Sequence, residues 1–478
     1  MAYRSLSLLT WVITLITILL NLYIYTYPSL DCDHCKWKYT YKDVDSLSSI
    51  ESKLINIPYI GDLYETYFIK ETHRGGHGTP SDIRLLAIGD PQINGNWPST
   101  PYIKRLDNFG NDYYLGHIYR LMKPRLDPTI VVGMGDLFSS QWIGDSEFYN
   151  RTKRYMTRLF PRPLQQTYAE LEFIADHKDI DWKTHYDWFR NNLEDGFFQK
   201  PDYYHYSDIK DWTSANLTNE PLFINITGNH DIGYGDTTYQ HMARWRKLFG
   251  KDNYWIEYDN DTKHPWRIVV LNGLAVDGPL LQPEFQKYTW QFIEVLKNRE
   301  YHGSTILLTH IPMYKREGLC VDGPRVDYYN KDNCHEGGEY RIGLLKSENH
   351  LQYETSQAIL NAVFKDSKSG IILTGHDHEG CENYYNFHER NNNEDEPSGE
   401  WIASKDVETG KYIKEVTVRS IMGDYDGSLG LMTGHFNNDS ESWEFDYTLC
   451  PFIVQHVWWA AQIGILSTIL LQSINWLI

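Results

Sequence analysis

Six short apolar runs, each ending in Gly, Asn, Asp or His, constrain the fold of this 478-residue chain most strongly. They are IRLLAIGD, TIVVGMGD, LFINITGNHD, WRIVVLN, TILLTH and GIILTGHDH. Runs of about four to eight β-branched and aliphatic residues with such boundaries are typical of buried strands. Helical candidates such as YYLGHIYRLM and PEFQKYTWQFIEVLK lie between them. Strands that alternate with helices predict an α/β fold, and later stretches such as YIKEVTVRSIMG indicate a second sheet.

The residues that end these runs form a set of candidate metal ligands. Ligands in α/β sheets bind where strands give way to loops, so the ends of several runs are expected to meet. Carboxylate, amide and imidazole groups together suit Mn²⁺, Fe or Zn²⁺ rather than Ca²⁺. Asp136 could bridge two ions, and two ions about 3.5–4 Å apart are suited to in-line attack at phosphorus. The set comprises Asp90, Gln92, Asp136, Asn229, His230, His310, His376 and His378.

Each of these signals is weak when it is taken singly. A Gly-Asp pair after a strand is common, GNHD could be only a tight turn, and a lone His310 is more often an ordinary histidine. The complete ordered set at strand ends favours a dinuclear site. Gln92 stands where a His would be the natural second ligand after Asp90, so its amide could contact water or substrate instead of the ion. We therefore expect the first ion to have fewer ligands from the protein.

Two segments are apolar enough to cross a membrane. Ser5 to Leu30 contains no charged residue, and its apolar part reaches the length of about 20 residues that a span requires. A cleaved signal peptide is the alternative, although the apolar run is longer than a signal core and no A-x-A-like site follows. Phe452–Ile478 also lacks charge, but its Gln and Asn residues leave a surface helix as an alternative. Transmembrane helices are predicted at 1–30 and 451–478.

The charges beside the first segment predict the topology. Arg4 precedes it, and Asp31 and Asp33 follow it, so the positive-inside rule places both termini in the cytosol. Residues 31–80 would then be a lumenal linker and 81–450 a lumenal catalytic domain. The stretch between Asp136 and Asn229 is longer than one crossover helix needs. It predicts a helical insertion at about 150–220, either a roof over the site or a peripheral decoration.

Cysteines and sequons agree with a secretory route. Six thiols allow many pairings, and Cys320–Cys334 is favoured because it would close a short loop. Cys32-x-x-Cys35 is expected to be structural, since no second metal-binding pair accompanies it. The net charge of −19 argues against a nucleic-acid partner. Candidate glycosylation sites are Asn150, Asn216, Asn260 and Asn438.

The order D-x-[HQ], GD, GNHD, H and GHxH resembles the calcineurin-like metallophosphoesterases. The resemblance implies an αββα sandwich of two mixed β-sheets flanked by helices, with two divalent metal ions. One ion would be bound by Asp90, Asp136 and His378. The other would be bound by Asp136, Asn229, His310 and His376. The catalytic residues would be Asp136 and His230, with His230 as general acid or transition-state donor; a simple capping residue is the alternative for His230.

Longer stretches narrow the resemblance to the membrane-anchored fungal subgroup that remodels GPI anchors. They include AIGDPQINGNWPSTPYIKRLDNFGNDYYLGHIYRLM, GDLFSSQWIGDSEFYNRTKRY, HIPMYKREGLCVDGP and ILTGHDHEGC, within residues 83–460. Within this subgroup the sequence is similar to the yeast lumenal phosphodiesterase type that removes ethanolamine phosphate from the second mannose. This resemblance implies an endoplasmic reticulum membrane location, Mn²⁺, a GPI-anchored protein or glycolipid substrate, and p24-type cargo receptors as partners. Many family members orient the catalytic His with a second Asp, whereas this chain has Ser139.

Substrate contacts are less constrained by the sequence. Tyr314 and Arg316 closely follow His310, and a guanidinium could bind the phosphodiester, with surface solvation as the alternative. Asp424 could bind the ethanolamine ammonium or serve only in a turn. Three functions stay open: the GPI phosphodiesterase, another lumenal metallophosphoesterase for a different glycan, lipid or nucleotide, and a cargo adaptor with a decayed site. The intact ligand set argues against the adaptor, while Gln92 and Ser139 leave room for it.

Overall fold

The computed structural model of the protein describes residues 2–30, 34–39, 41–42, 47–69, 71–72, 80–97, 99–161, 181–206, 220–334, 338–389 and 399–477. Its strands are β1 Tyr41–Lys42, β2 Glu71–Thr72, β3 Ile83–Ile88, β4 Ile130–Gly133, β5 Leu222–Asn225, β6 Tyr254–Tyr258, β7 Trp266–Val270, β8 Ser304–Leu308, β9 Val326–Tyr328, β10 Leu345–Glu348, β11 Gly370–Thr374, β12 Cys381–Glu389, β13 Gly399–Ser404, β14 Tyr412–Thr417, β15 Leu429–Asn437 and β16 Ser442–Cys450. All six predicted runs are confirmed as strands.

The helices are α1 Ala2–Thr26, α2 Ser49–Leu54, α3 Ile60–Phe68, α4 Tyr102–Leu126, α5 Asp145–Arg154, α6 Trp182–Glu194, α7 Pro201–Tyr204, α8 Asn229–Ile232, α9 Tyr239–Phe249, α10 Pro283–Asn298, α11 Tyr353–Phe364 and α12 Gln455–Leu477. A π-helical turn, Tyr155–Leu159, continues α5. The described parts of the predicted insertion are thus helical. The predicted linker also contains two helices, α2 and α3, so it is less irregular than its composition indicates.

Two mixed sheets pack face to face, as the family resemblance implies. One has the order β16-β15-β3-β4-β5 and the other β13-β12-β14-β11-β8-β7-β6. Successive side chains of a strand point to opposite faces of its sheet. On the faces that pack together, Leu85 of the first sheet and Leu308 of the second belong to one buried core. Their neighbours Leu86 and Leu307 belong to a second core with α4, α10 and α11. Because strands are covered on both faces, they read as nearly continuous apolar runs.

Parallel pairing brings the ligand-bearing strand ends to one edge of the sandwich. β3, β4 and β5 are parallel neighbours, and β7, β8, β11 and β14 are parallel neighbours in the other sheet. Every parallel strand therefore delivers its following loop to the same side. An isolated bridge between Gly89 and Ser420 links the loop after β3 to the loop after β14. The two sheets meet at this edge.

The two apolar terminal helices pack against each other. Both Ser5–Ser29 and Gln455–Leu477 are long and apolar enough to span a membrane. Polar groups pair between them: Asn475 Nδ2 donates to Thr10 Oγ1 at 2.6 Å, and Gln472 Nε2 donates to Thr14 Oγ1 at 3.3 Å. A Cβ on Gly464 would lie 2.7 Å from Thr17 Oγ1, so the glycine permits close approach. Two of the polar residues that weakened the sequence signal of the second segment, Gln472 and Asn475, thus donate hydrogen bonds to the first.

The favoured disulfide Cys320–Cys334 is wrong. Cys320 is bonded to Cys381, a second disulfide joins Cys35 to Cys450, and Cys334 is a free thiol in the described chain. The reason is topological. β8 and β11 are adjacent parallel strands, so the segments that follow them, which carry Cys320 and Cys381, lie side by side. Cys32 lies outside the described residues.

The candidate glycosylation sites have different surroundings. Asn150, Asn260 and Asn438 are exposed. Asn225 also begins an N-x-T sequence, but it is not a candidate, because it is buried in a strand and accepts a hydrogen bond from Tyr155 at 2.6 Å. Asn216 lies outside the described residues. Modification of the three exposed sites stays a prediction.

Candidate metal centre

Strand ends bring the predicted ligands within contact of one another. Asp90 follows β3, Asp136 follows β4, and Asn229 begins α8 after β5. His310 follows β8, while His376 and His378 follow β11. Asp90, Asp136 and His310 are buried, with Asp136 1% exposed, and Asn229, His376 and His378 are partly buried. The sequence-predicted set is therefore one constellation.

Several of the residues in these loops have strained backbones. The φ angles of Asp90, Gln92, Asp136 and His376 are 34°, 40°, 47° and 75°, in the left-handed region that side chains rarely adopt. Such strain persists only where the surroundings impose it, and it concentrates at functional sites. Glycines supply the remaining space: a Cβ on Gly228 would lie 2.0 Å from the Asp136 nitrogen. The GD, GN and GH pairs are thus required by packing as well as by chemistry.

His310 shows most clearly that a cation fits this site. Its Nδ1 lies 2.7 Å from the Met134 carbonyl, which can only accept, so Nδ1 carries the proton. In the neutral ring, Nε2 then presents a bare electron pair. It lies 3.1 Å from Asn229 Oδ1 and 3.4 Å from Asp136 Oδ1, which are also acceptors. Three electron pairs that face each other across such distances fit a divalent cation, which these side chains would hold between them.

His376 adds a fourth donor to the same group. Its Nδ1 lies 3.0 Å from Asn229 Oδ1. The ring also hydrogen-bonds the backbone carbonyl of Glu348, and its Nε2 lies 3.3 Å from the Tyr234 hydroxyl. Backbone carbonyls that fix the tautomer of a histidine ligand are a regular feature of metal sites. Asp136, Asn229, His310 and His376 are therefore adjacent, as the ligand set predicted for the second ion requires, and their binding of that ion stays a prediction.

The ligands predicted for the first ion are also adjacent. Asp90 Oδ2 accepts a hydrogen bond from the His376 backbone nitrogen at 2.9 Å and lies 3.7 Å from His378 Nε2. Asp90 Oδ1 is buried and has no hydrogen-bond partner among the described residues. A buried, unpaired carboxylate oxygen is costly unless a cation neutralises it. Gln92 lies beside this group, with its Nε2 3.2 Å from Asp136 Oδ2.

The pKa values of the site also indicate that a cation would stabilise the charged form of its buried carboxylate and the neutral form of its histidines. Burial, and then the neighbouring Asp136 carboxylate, raise the pKa of Asp90 well above its ordinary value. Burial lowers the pKa of His310 and His378. Burial and the nearby His310 lower the pKa of His376 to about 3. The histidines are thus neutral at physiological pH, which is the form that ligates metal.

His230 occupies the mouth of the site. Its backbone nitrogen donates to Asp136 Oδ1 at 2.8 Å, its Nε2 lies 3.8 Å from Asp136 Oδ2, and its side chain is 39% exposed. The ring can therefore reach a substrate as well as the metal ligands. Ser139, in the place of the family's orienting Asp, accepts a hydrogen bond from Arg151 Nη1 at 2.9 Å. The role of His230 stays a prediction.

Three supporting residues were not found from the sequence. The buried Asp231 accepts from the backbone nitrogens of Phe138 and Gly228, at 3.1 Å and 2.9 Å, and so joins the loops of Asp136 and Asn229. Arg151 donates to the Ile93 carbonyl at 2.9 Å, behind the loop of Asp90. The Tyr425 hydroxyl lies 3.3 Å from His378 Nδ1. Of the three, only Asp231 could have been found from the sequence, because it is part of GNHD. Arg151 and Tyr425 act through contacts between segments that are distant in the sequence.

The predicted substrate residues surround the site less closely. Tyr314 is half-buried, and its ring packs edge-on against Tyr353 at 5.5 Å. Arg316 is exposed. Asp424 is exposed in a short turn, Gly423–Tyr425, next to the tyrosine that meets His378. Binding of substrate by these residues stays a prediction.

Comparisons with known proteins agree with this geometry. The family model of the calcineurin-like phosphoesterases matches residues 83–380. In Saccharomyces cerevisiae, Protein TED1 is 48% identical over 475 residues, which cover 96% of each chain. An uncharacterized protein of Schizosaccharomyces pombe is 26% identical, covering 80% of this chain and 84% of its own. Cell division control protein 1 of Saccharomyces cerevisiae is 25% identical over 180 residues, 36% of this chain and 33% of its own.

Proposed function

This chain belongs to the calcineurin-like phosphoesterase family, and we propose that it hydrolyses a phosphodiester in which ethanolamine phosphate is attached to the second mannose of a GPI anchor. The reaction would take place in the lumen of the endoplasmic reticulum, as a remodelling step before GPI-anchored proteins are exported. Mn²⁺ is the proposed metal, and p24-type cargo receptors are the proposed partners in export.

The observation that carries the activity is the convergence of bare electron pairs from His310, Asn229 and Asp136 at one sheet edge. Divalent ions bound by such donors supply Lewis acidity toward a phosphoryl group and toward water. Acceptors alone would repel one another in this buried space. The same residues would be a poor choice for a purely structural site, because the cleft is open at His230 and His378, whose side chains are 39% and 25% exposed.

The residues of the chain have separate tasks in the proposed reaction. Asp136 accepts hydrogen bonds from Gln92 Nε2 and from the His230 backbone nitrogen, one on each oxygen, and the carboxylate fixed in this way would contribute to holding both ions. The His230 ring lies at the mouth and, in this proposal, would donate a proton to the departing oxygen of the ester. Met134 and Glu348 hold the ligand histidines in the tautomers that expose their electron pairs.

The proposed substrate rests on membrane attachment and on similarity. Two helices able to span a membrane flank the phosphoesterase domain, and the Cys35–Cys450 disulfide ties the segments beside them together. This arrangement suits a substrate that is itself anchored in the bilayer. The chain is also similar over nearly its full length to a yeast protein, and its longer motifs resemble the subgroup that remodels GPI anchors. Exposed Asp424 offers a carboxylate for an ethanolamine ammonium.

Activity and substrate can be tested with one pair of variants. Asp136→Asn keeps a residue that tolerates the left-handed backbone but removes the bridging charge. Asp127→Asn is the matched control, because Asp127 also has a left-handed φ, of 43°, and is largely exposed. The full chain with Asp136→Asn should lose bound Mn²⁺ and hydrolysis of a simple phosphodiester, whereas Asp127→Asn should retain both. Unchanged metal content in Asp136→Asn would contradict the assigned centre.

Mass spectrometry of GPI glycans identifies the substrate. Cells that lack the protein should accumulate glycans with an additional ethanolamine phosphate on the second mannose, and Asp136→Asn should not correct this. Suppose that glycans from cells lacking the protein are unaltered while the full chain hydrolyses simple phosphodiesters. The phosphoesterase activity would then stand, and the proposed GPI substrate would be wrong. Full correction of GPI-protein export by Asp136→Asn would instead support a cargo adaptor.

A further inference from the structure

Helix α4 connects the metal centre to the pair of terminal helices. The loop of Asp90 and Gln92 lies just before α4 in the chain, and Asn108 of α4 donates to Gly95 O at 3.0 Å and to Asn96 Oδ1 at 2.9 Å. Asn108 is buried, so this connection is not a loose surface contact. Any surface that fixes α4 therefore also fixes the loop that carries Asp90.

One face of α4 packs on both terminal helices. Gly110 lies against Trp459 of α12, since a Cβ there would be 1.7 Å from the indole ring. One heptad further along, His117 Nε2 lies 3.1 Å from the Ile24 carbonyl of α1. Between them, the Tyr114 hydroxyl donates to the Ile453 carbonyl at 2.6 Å. The same face of α4 therefore touches first one terminal helix and then the other.

These contacts give the direction of α4 relative to the helix pair. Seven residues of α-helix advance by about 10 Å, which equals the usual spacing of about 8–10 Å between two packed helices. Because Gly110 meets α12 and His117 meets α1, α4 runs across the pair rather than along either member. Where α1 and α12 cross a bilayer, α4 consequently lies along its surface. Trp458 and Trp459, next to α4, are residues that favour this interface.

The amino-terminal half of α4 carries an apolar stripe that borders this face beyond the helix pair. Ile103 precedes Gly110 by one heptad, so the two lie within about 20° of each other around the helix. Here the face is apolar and uncovered by described residues: Ile103 is 81% exposed and Leu106 is 48% exposed. The exposed stripe, called the α4 stripe below, comprises Tyr102, Ile103, Leu106, Phe109 and Tyr113. Leu, Ile and aromatic side chains at helical spacing are typical of helices that lie in a membrane interface.

A cation flanks the α4 stripe. The Arg158 guanidinium lies 5.9 Å from the ring centroids of both Phe109 and Tyr113 and is 41% exposed. A cation beside aromatic rings can reach lipid phosphates while the rings contact the acyl boundary. The arrangement therefore fits a phospholipid surface better than the apolar groove of a protein partner.

We propose that the α4 stripe inserts into the boundary between headgroups and acyl chains of the bilayer that α1 and α12 cross, and thereby fixes the height and orientation of the metal centre above the membrane. The partner is the phospholipid surface itself. The inference depends on the helix pair spanning a bilayer and not on which phosphodiester is hydrolysed. It assigns to α4 a membrane-binding face in addition to its place in the core.

Photocrosslinking to lipid tests the contact directly. The full chain would carry p-benzoylphenylalanine in place of Ile103, in vesicles of phosphatidylcholine and phosphatidylserine that contain a radiolabelled phospholipid. Leu466, in the middle of α12 and 69% exposed, is the positive control for bilayer insertion. Ile402 is the matched control, because it is an exposed isoleucine, at 42%, on the edge strand β13. Lipid adducts are expected at 103 and 466 but not at 402.

Each other outcome overturns the proposal. Labelling at 466 alone would leave the helix pair in the bilayer but place the α4 stripe in water. Equal labelling at 103 and 402 would make the contact nonspecific. A crosslinked species of twice the mass from position 103 would identify a second copy of the chain as the occupant. Absence of labelling at both 103 and 466 would remove the bilayer on which the inference depends.

A charge-insertion variant tests the orienting role. Ile103→Glu combined with Leu106→Glu should leave hydrolysis of soluble bis-p-nitrophenyl phosphate unchanged, because neither residue belongs to the metal centre. Hydrolysis of the same kind of phosphodiester attached to a vesicle lipid should fall several-fold. Ile402→Glu should change neither rate. A parallel fall in both rates, or no fall in either, would show that the α4 stripe does not orient the site on the membrane.

Discussion

The side-chain Nε2 of Gln92 lies 3.1 Å from Nε2 of His378 and also donates a hydrogen bond to Asp136 Oδ2. An amide nitrogen donates hydrogen bonds and does not present an electron pair to a cation. Gln92 therefore holds two predicted ligands of the first ion in place, and it adds no ligand of its own in this orientation. Gln92, which stands in place of the His of Asp-x-His, thus keeps the neighbouring ligands in position but supplies no imidazole.

Gln92→His should restore that imidazole and tighten the first ion. Histidine tolerates the left-handed φ of 40° at this position better than most residues. We expect roughly tenfold tighter Mn²⁺ binding at one of two sites, equivalent to about 1.4 kcal/mol. Calorimetric titration of the metal-free full chain measures it, with the exposed Gln240→His as control. Unchanged affinity would show that an imidazole at position 92 does not reach the first ion, and the predicted shortage of protein ligands there would be wrong.

We expect that no side chain can replace the hydrogen of Gly228, the residue immediately before Asn229. A Cβ on Gly228 would lie 2.0 Å from the Asp136 nitrogen and 2.3 Å from its Oδ1, so Gly228→Ala must push the bridging ligand away. Overpacking of this kind costs typically about 1–3 kcal/mol. Gly144→Ala is the matched control, because nothing lies within 4 Å of its Cβ position and its φ of −68° suits alanine.

The readouts are Mn²⁺ content and thermal melting of the two alanine variants. Gly228→Ala should lose metal and melt at a lower temperature, and Gly144→Ala should match the parent protein in both respects. Metal content retained in Gly228→Ala would mean that the Asp136 loop can move without loss of the ion, and the rigid arrangement described above would be wrong.

The fold, and the meeting of the candidate ligands at one edge, were predictable because both depend on local pattern. A strand buried on two faces must be apolar throughout, so the polar residue that ends it, such as Asp90 or His310, stands out in the sequence. Parallel strands then bring these ends together without further information. The same reasoning found all six predicted strands and placed their ends at one edge.

The supporting contacts were not predictable because they involve groups without a sequence signature. Backbone carbonyls, such as that of Met134, fix the ligand tautomers, and any residue type could supply them. Cys381 was missed because loop length favoured Cys334, whereas sheet adjacency decided the pairing. The role of the threonines of α1 could not be predicted either. They accept hydrogen bonds from Gln472 and Asn475, which belong to a helix more than 400 positions away.

The disulfide pairing can be tested by mass spectrometry of unreduced peptides. Peptides that contain Cys320 should be linked to Cys381, and Cys334 should react with an alkylating reagent without prior reduction. A linked Cys320–Cys334 peptide would contradict the structure. Replacing both Cys35 and Cys450 by alanine should lower stability, by up to about 5 kcal/mol in the chain-entropy view of so long a loop. Cys334→Ala should have little effect.

Acid should destabilise the protein partly through His241, outside the metal ligands. This residue is buried in α9, and its Nδ1 lies 3.0 Å from the Ile232 carbonyl, to which it donates. Burial, and then the Arg244 guanidinium, lower the pKa of His241 from 6.5 to about 3. Between those values the unfolded chain binds a proton that the folded chain excludes. The stabilising effect is therefore complete above pH 6.5 and declines as the pH falls toward 3.

His241→Gln should reduce this pH dependence. Glutamine stays neutral and leaves in place the hydrogen bond from the backbone nitrogen of residue 241 to Thr238 Oγ1, which caps the start of α9. Between pH 7 and pH 5, the parent should lose about 2 kcal/mol more of its free energy of unfolding than the variant does, since 1.4 kcal/mol corresponds to about one pKa unit. Denaturant titrations of the full chain at both pH values measure the difference, with the exposed His302→Gln as control. Equal losses in parent and variant would show that His241 is not held neutral by the fold.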